Sequence, residues 1–142
     1  MVSRPEQRPR AGLCSLIYGF DVICVISYID IMVEVIATDE FAEWYRSIAD
    51  QQADAVAVAV ERLEQLGLGL GFPYSSAIKG STFALRELRI KTAGRALRVM
   101  YAFDPKRQAV LLLGGDKSGE KGFYERLVGK AEKIWQAYLA EV

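Results

Sequence analysis

Apolar residues recur every three to four positions in some stretches of this chain and every second position in others, and the change of period marks its elements. Phe41, Trp44, Tyr45 and Ile48 fall at i, i+3, i+4 and i+7, which puts four large side chains on one helical face. Thr38 or Asp39 suits an N-cap, and the acids just after it complement the helix dipole. A second helix is predicted from about residue 51 to residue 66, with Val56, Val60, Leu63 and Leu66 inward. Its "AVAVAV" alternates like a strand, but the Gln, Glu and Arg around it and Gly67 just past its end favour helix. A last helix, Phe123 to Val142, carries Leu127, Ala131, Ile134 and Tyr138 at helical spacing.

The remaining runs have the period of strands. "MVEVIA" is a short apolar strand, and "GLGLGFPYSS" reads as a flexible loop. "FALRELRIK" places Leu88 and Ile90 on one face and Glu87 and Arg89 on the other. "RALRVMYAF" places Leu97, Val99, Tyr101 and Phe103 inward with Arg98 outward, and "QAVLLLGG" is apolar enough for both faces to be buried. The short connections "TAG" and "DPKR" make these three an antiparallel meander. The order is β-α-α-β-β-β-α, an α+β domain without an internal repeat.

At 142 residues with 51% hydrophobic content, the chain is long enough for one domain with a real core. Its formal net charge is zero, so no global field draws it to nucleic acid or membrane. The charge is unevenly spread, however: residues 33–66 hold eight acids and two bases, residues 78–107 eight bases and two acids. A polyanion can therefore bind locally. The two cysteines, Cys14 and Cys24, form neither a disulfide framework nor a metal-ligand spacing, and no histidine stands anywhere in the chain. That removes the commonest general base and the triads built on it. No cofactor and no metal is expected, and the plain reading is a cytoplasmic protein.

Residues 1–31 differ in character from the rest of the chain. "MVSRPEQRPR" is polar and basic, and "LCSLIYGFDVICVISYI" is apolar with Asp21 in its middle. Asp21 interrupts what a signal peptide or membrane helix would need, so no stable membrane association is expected. The favoured reading is an extension upstream of a start at Met32, with a docked strand and membrane insertion as alternatives. The domain proper is then 32–142.

Two constellations carry possible chemistry. In "LLGGDKSGEKGFYERL", Gly114 and Gly119 have the gap of a phosphate-binding P-loop, but Glu120 stands where Lys must be, and a meander is not the sheet such a loop leaves. What remains is a glycine-permissive loop that presents Lys117 and Lys121 beside a helix start. The second constellation is Arg89 and Arg98, neighbours across a hairpin on the face away from the core, with Glu87 two residues along. Guanidinium forks suit phosphate. The plain alternative is a solvated sheet face with surface ion pairs. Tyr124, Trp135, Tyr45 and Trp44 read as core or interface aromatics.

Taken in order, "FALRELRIK", "RALRVMYAF", "AVLLLGGDKSGEKGFYERL" and "KAEKIWQAYL" resemble the RelE/HigB toxin superfamily, nearest its phage-derived, HigB-like branch. The resemblance covers residues 32–142. It implies a helical hairpin packed on a small antiparallel sheet with a C-terminal helix. It also implies ribosome-dependent cleavage of mRNA, restrained by a DNA-binding, helix-turn-helix antitoxin of the HigA type; the residue types here call for no metal in that chemistry. Arg89 matches the arginine of the family's Glu-Leu-Arg strand, Arg98 that of the next strand, Lys117 the loop lysine and Tyr124 the aromatic after the loop. These four are the implied catalytic set; Arg86, Lys91, Arg95 and Lys121 are expected RNA contacts. Ser118 stands where many relatives have a second lysine, and Arg86 where an aromatic is common. The same fold also carries ParE-like gyrase poisons, and an inactive toxin that only binds its antitoxin is a further alternative.

Overall fold

The structure, a computed structural model, describes residues 32–142; the N-terminal extension lies outside the described residues. Strand β1 (Val35–Ala37) leads directly into helix α1 (Asp39–Ser47). Thr38 is the cap, its Oγ1 accepting from the Phe41 amide at 3.2 Å and donating to the Leu111 carbonyl at 2.8 Å. One side chain thus starts the helix and fastens it to a strand far along the sequence. Helix α2 (Asp50–Leu66) comes next, with Val56, Ala59, Val60 and Leu63 buried. It ends at Gly67, whose positive φ of 54° suits glycine and whose N–H bonds the Leu63 carbonyl. Leu66, expected inward, is the last residue of the helix and is 50% exposed.

Strands β3 (Arg86–Thr92), β4 (Arg95–Phe103) and β5 (Ala109–Asp116) form the expected meander, and helix α3 (Phe123–Glu141) closes the domain. Two features of the sheet were not expected. A short strand β2 (Ser75–Ala77) overlaps the end of the stretch read as a flexible loop and pairs antiparallel with β3. Strand β1 pairs parallel with β5, Val35 opposite Ala109, so the sheet is mixed, in the order β1-β5-β4-β3-β2.

Both faces of this sheet are covered. On one, Phe41, Val56, Val60 and Leu63 pack on Leu88, Ile90, Leu97, Val99, Tyr101 and Leu111. On the other, Phe123, Leu127, Ala131 and Trp135 of α3 pack on Met100, Ala102, Val110 and Leu112. The glycine pair of β5 serves that double packing. A Cβ on Gly114 would run into the Trp44 ring of α1, and one on Gly115 would stand 3.0 Å from the Phe123 ring of α3. These glycines admit a helix on each face.

Candidate functional site

Strand parity sends Glu87 and Arg89 of β3 and Arg98 of β4 to the α3 face, with Arg89 directly opposite Arg98 in the ladder. The first turn of α3 then lays Tyr124 over them. The expectation that Arg98 is exposed on an outer face is therefore corrected: it is only 3% exposed, because α3 roofs that part of the sheet. Beneath the roof Glu87 gathers the donors. Its Oε1 accepts from the Tyr124 hydroxyl at 2.7 Å and lies 3.5 Å from Arg98 Nε. Its Oε2 accepts from Arg89 Nη1 at 3.1 Å and from the Ser76 hydroxyl at 2.8 Å. Arg98 also donates from Nε to the Tyr124 hydroxyl at 3.2 Å and from Nη1 to the Leu97 carbonyl at 3.0 Å.

Lys117 completes the cluster from the loop between β5 and α3. Its amide bonds the Ala96 carbonyl at 2.8 Å, which extends the ladder one residue past β5, and its Nζ sits 5.5 Å from the centre of the Tyr124 ring. Among the described residues Lys117 makes no ion pair. The cluster thus holds three cations, Arg89, Arg98 and Lys117, against one carboxylate, and so carries two positive charges in excess. Burial, and then the hydrogen bond to Glu87, push the Tyr124 phenol above its ordinary range, so it stays protonated well past neutral pH.

The structure brings Arg89, Arg98 and Tyr124 together around Glu87 and adds Lys117 beside the Tyr124 ring, whereas the expected RNA contacts are dispersed. Arg86 points to the opposite sheet face, where its Nη2 donates to the Ser75 hydroxyl at 3.1 Å and its Nε to the Tyr101 hydroxyl at 3.3 Å. Arg95 pairs with Asp116 at 2.9 Å near the tip of the β3–β4 hairpin. Lys91 and Lys121 are exposed, Lys121 in the loop before α3. Burial tends to raise the Asp116 pKa, but hydrogen bonds from Ser118 and the Arg95 charge outweigh it, so the carboxyl lies below its ordinary value. The organising residue that the sequence reading did not select is Glu87. Its signal was present in the parity of Glu-Leu-Arg, which puts carboxylate and guanidinium side by side on one face. Sequence could not show that this carboxylate would be buried and shared by four donors.

A helical hairpin on one face of a small sheet, a C-terminal helix on the other and a basic cluster under that helix's first turn define an α+β domain of the RelE/HigB type. Direct comparison gives the family. Residues 43–136 match the family described as phage-derived protein Gp49-like (DUF891), and the chain belongs to it. It is similar to the candidate toxin HigB3 of Mycobacterium tuberculosis, 37% identical over 108 residues that cover 75% of this chain and 93% of that one. It is also similar to the candidate toxin HigB2 of the same organism, 30% identical over 125 residues, covering 83% of this chain and 62% of the relative.

Proposed function

We propose that this protein is the toxin of a type II toxin–antitoxin pair and cleaves mRNA on the ribosome, with a helix-turn-helix antitoxin of the HigA type as its restraining partner. The names of its relatives support the toxin role. The observation that carries the chemistry is the cluster of Arg89, Arg98 and Lys117, two charges in excess, set around one phenol.

In this reading the RNA 2′-hydroxyl attacks the adjacent phosphorus in line, and the bond to the 5′-oxygen breaks. The products are a 2′,3′-cyclic phosphate and a 5′-hydroxyl. Negative charge grows on the phosphoryl oxygens as the attack proceeds, and fixed cations stabilise it more than they stabilise the ground state. Arg89 and Lys117, the more exposed cations, grip the phosphate, while Arg98 acts from beneath and holds the Tyr124 hydroxyl in place. Tyr124 is protonated at neutral pH. To supply its one proton to the departing 5′-oxygen, its O–H turns from Glu87 toward the substrate, Glu87 keeping Arg89, Arg98 and Ser76 as partners. The phenol is then reprotonated from solvent. Both oxygens of Glu87 already accept from other side chains, and Asp116 is engaged by Arg95 and Ser118. The 2′-hydroxyl proton therefore leaves to solvent or to a group at the ribosome, and much of the rate comes from orientation.

Primer extension on cellular mRNA after brief expression tests this reading. Cuts should appear within translated messages and vanish when initiation is blocked. Neither histidine nor, among the described residues, a cluster of metal-ligand side chains is present. Added zinc or manganese should accordingly be unnecessary. Intact messages together with relaxed plasmid DNA would instead identify a gyrase poison.

A further inference from the structure

Two aromatic rings between α2 and β2 belong to neither core. Phe72 is 77% exposed and Tyr74 45%. A phenyl ring so far in water contributes nothing to the fold's hydrophobic stabilisation. The backbone that carries these rings is nonetheless fixed. The Tyr74 and Ser75 amides both bond the Gly71 carbonyl, at 3.0 and 3.1 Å, and the Arg89 amide bonds the Tyr74 carbonyl at 2.8 Å. Ser75 next along is anchored by its hydroxyl, 2.6 Å from the buried Tyr101 hydroxyl.

Each ring is backed by a guanidinium. Arg89 lies 5.3 Å from the centre of Phe72, and Arg62 of α2 lies 4.0 Å from the centre of Tyr74. Arg89 is also a member of the charged cluster, so Phe72 stands beside the place where a phosphate would be gripped. A cation then an aromatic face is the spacing that a single nucleic-acid strand presents in complement, a phosphate and then a flat base.

We propose that Phe72 and Tyr74 form a base-stacking subsite for single-stranded RNA, taking the nucleobase next to the phosphate held by Arg89 and Lys117. The subsite rests on the RNA-cleaving reading above and adds to it a way of holding the strand in register for in-line attack. Stacking tolerates any base and favours the larger purine faces, because affinity depends on the area of overlap rather than on a hydrogen-bond code.

The test uses the full chain and a short single-stranded oligoribonucleotide, blocked from cleavage by 2′-O-methyl sugars and carrying 2-aminopurine. Anisotropy reads binding, and quenching of the aminopurine reads stacking. The wild-type protein should bind and quench. Phe72→Ala should bind about tenfold more weakly and lose the quench, Phe72→Trp should restore both, and Tyr74→Ala should give a smaller loss. Both side chains are exposed, so unchanged melting temperatures should accompany these effects. Failure of the wild-type chain to bind or quench overturns the subsite, and so does wild-type affinity in Phe72→Ala. A Phe72→Ala variant that cuts mRNA normally removes the subsite and leaves the nuclease reading standing. Quenching by a wild-type chain that cuts nothing does the reverse. Weakened antitoxin binding with RNA affinity unchanged would assign the rings to a protein partner and also overturn the proposal.

Discussion

Arg98 and Lys117 carry the same charge in one cluster, yet their removal should have different consequences. Lys117 is partly exposed and unpaired among the described residues, so Lys117→Ala should leave stability within about 0.5 kcal/mol of wild type. Loss of one charge stabiliser should still lower cleavage on the order of a hundredfold. Arg98 is buried against Glu87, and Arg98→Ala strips a partner from an enclosed carboxylate. That variant should lose activity and also on the order of 1–3 kcal/mol of stability. Arg98→Lys should recover part of the stability and little of the activity, since an ammonium cannot bond Glu87, Tyr124 and the Leu97 carbonyl in one plane. Urea denaturation beside growth inhibition at matched expression separates these outcomes; equal stability of the two alanine variants would count against the buried pair. A second residue-scale prediction concerns Tyr138, whose hydroxyl donates to Asp104 at 2.8 Å. Burial, and then that bond, push its pKa from 10.0 up to about 12. Because the folded value is raised, the stability it contributes is full below pH 10 and is lost as pH rises toward 12. Melting temperature should fall across that window, and Tyr138→Phe should flatten part of the fall while keeping the ring stacked on Trp135.

At the scale of elements, the glycines of β5 set how closely the helices approach. Gly114→Ala drives a methyl into the Trp44 ring, so it should cost on the order of 1–3 kcal/mol as overpacking. Urea denaturation checks this, and an unchanged midpoint would show that α1 can move aside. The same elements show what sequence could and could not convey. Helical and two-residue periods located three helices and the three long strands, because each writes its buried face into its own residues. Strand β2 was hidden because Ser-Ser-Ala has no apolar alternation to betray it. The pairing of β1 with β5 was hidden because nothing local tells Val35 that it will lie beside Ala109. Parity put Arg89 and Arg98 on one face correctly, but parity cannot say what covers a face. Only the packing of Phe123, Leu127 and Trp135 reveals that Arg98 lies under a helix.

For the whole molecule, a chain beginning at Met32 keeps β1, both helices of the hairpin and every member of the cluster. Such a chain should fold and inhibit growth like the full-length protein, as checked by circular dichroism and plating. Aggregation or loss of toxicity would show that residues 1–31 contribute to the core or to a partner surface. Among the described residues the sheet ends in two strands of three residues each, β1 and β2, and edges this short offer little template for pairing with another chain.

The roof over the cluster, α3, is synthesised after every strand it covers. Until α3 docks, Glu87 and Arg98 face water, where a high dielectric leaves their attraction weak and nothing holds Tyr124 above them. The parallel partner of β1 likewise arrives only with residues 109–111. A chain made only as far as β5 therefore carries the described sheet but no finished site. Chains cut short before residue 123 should be harmless to the cell that makes them.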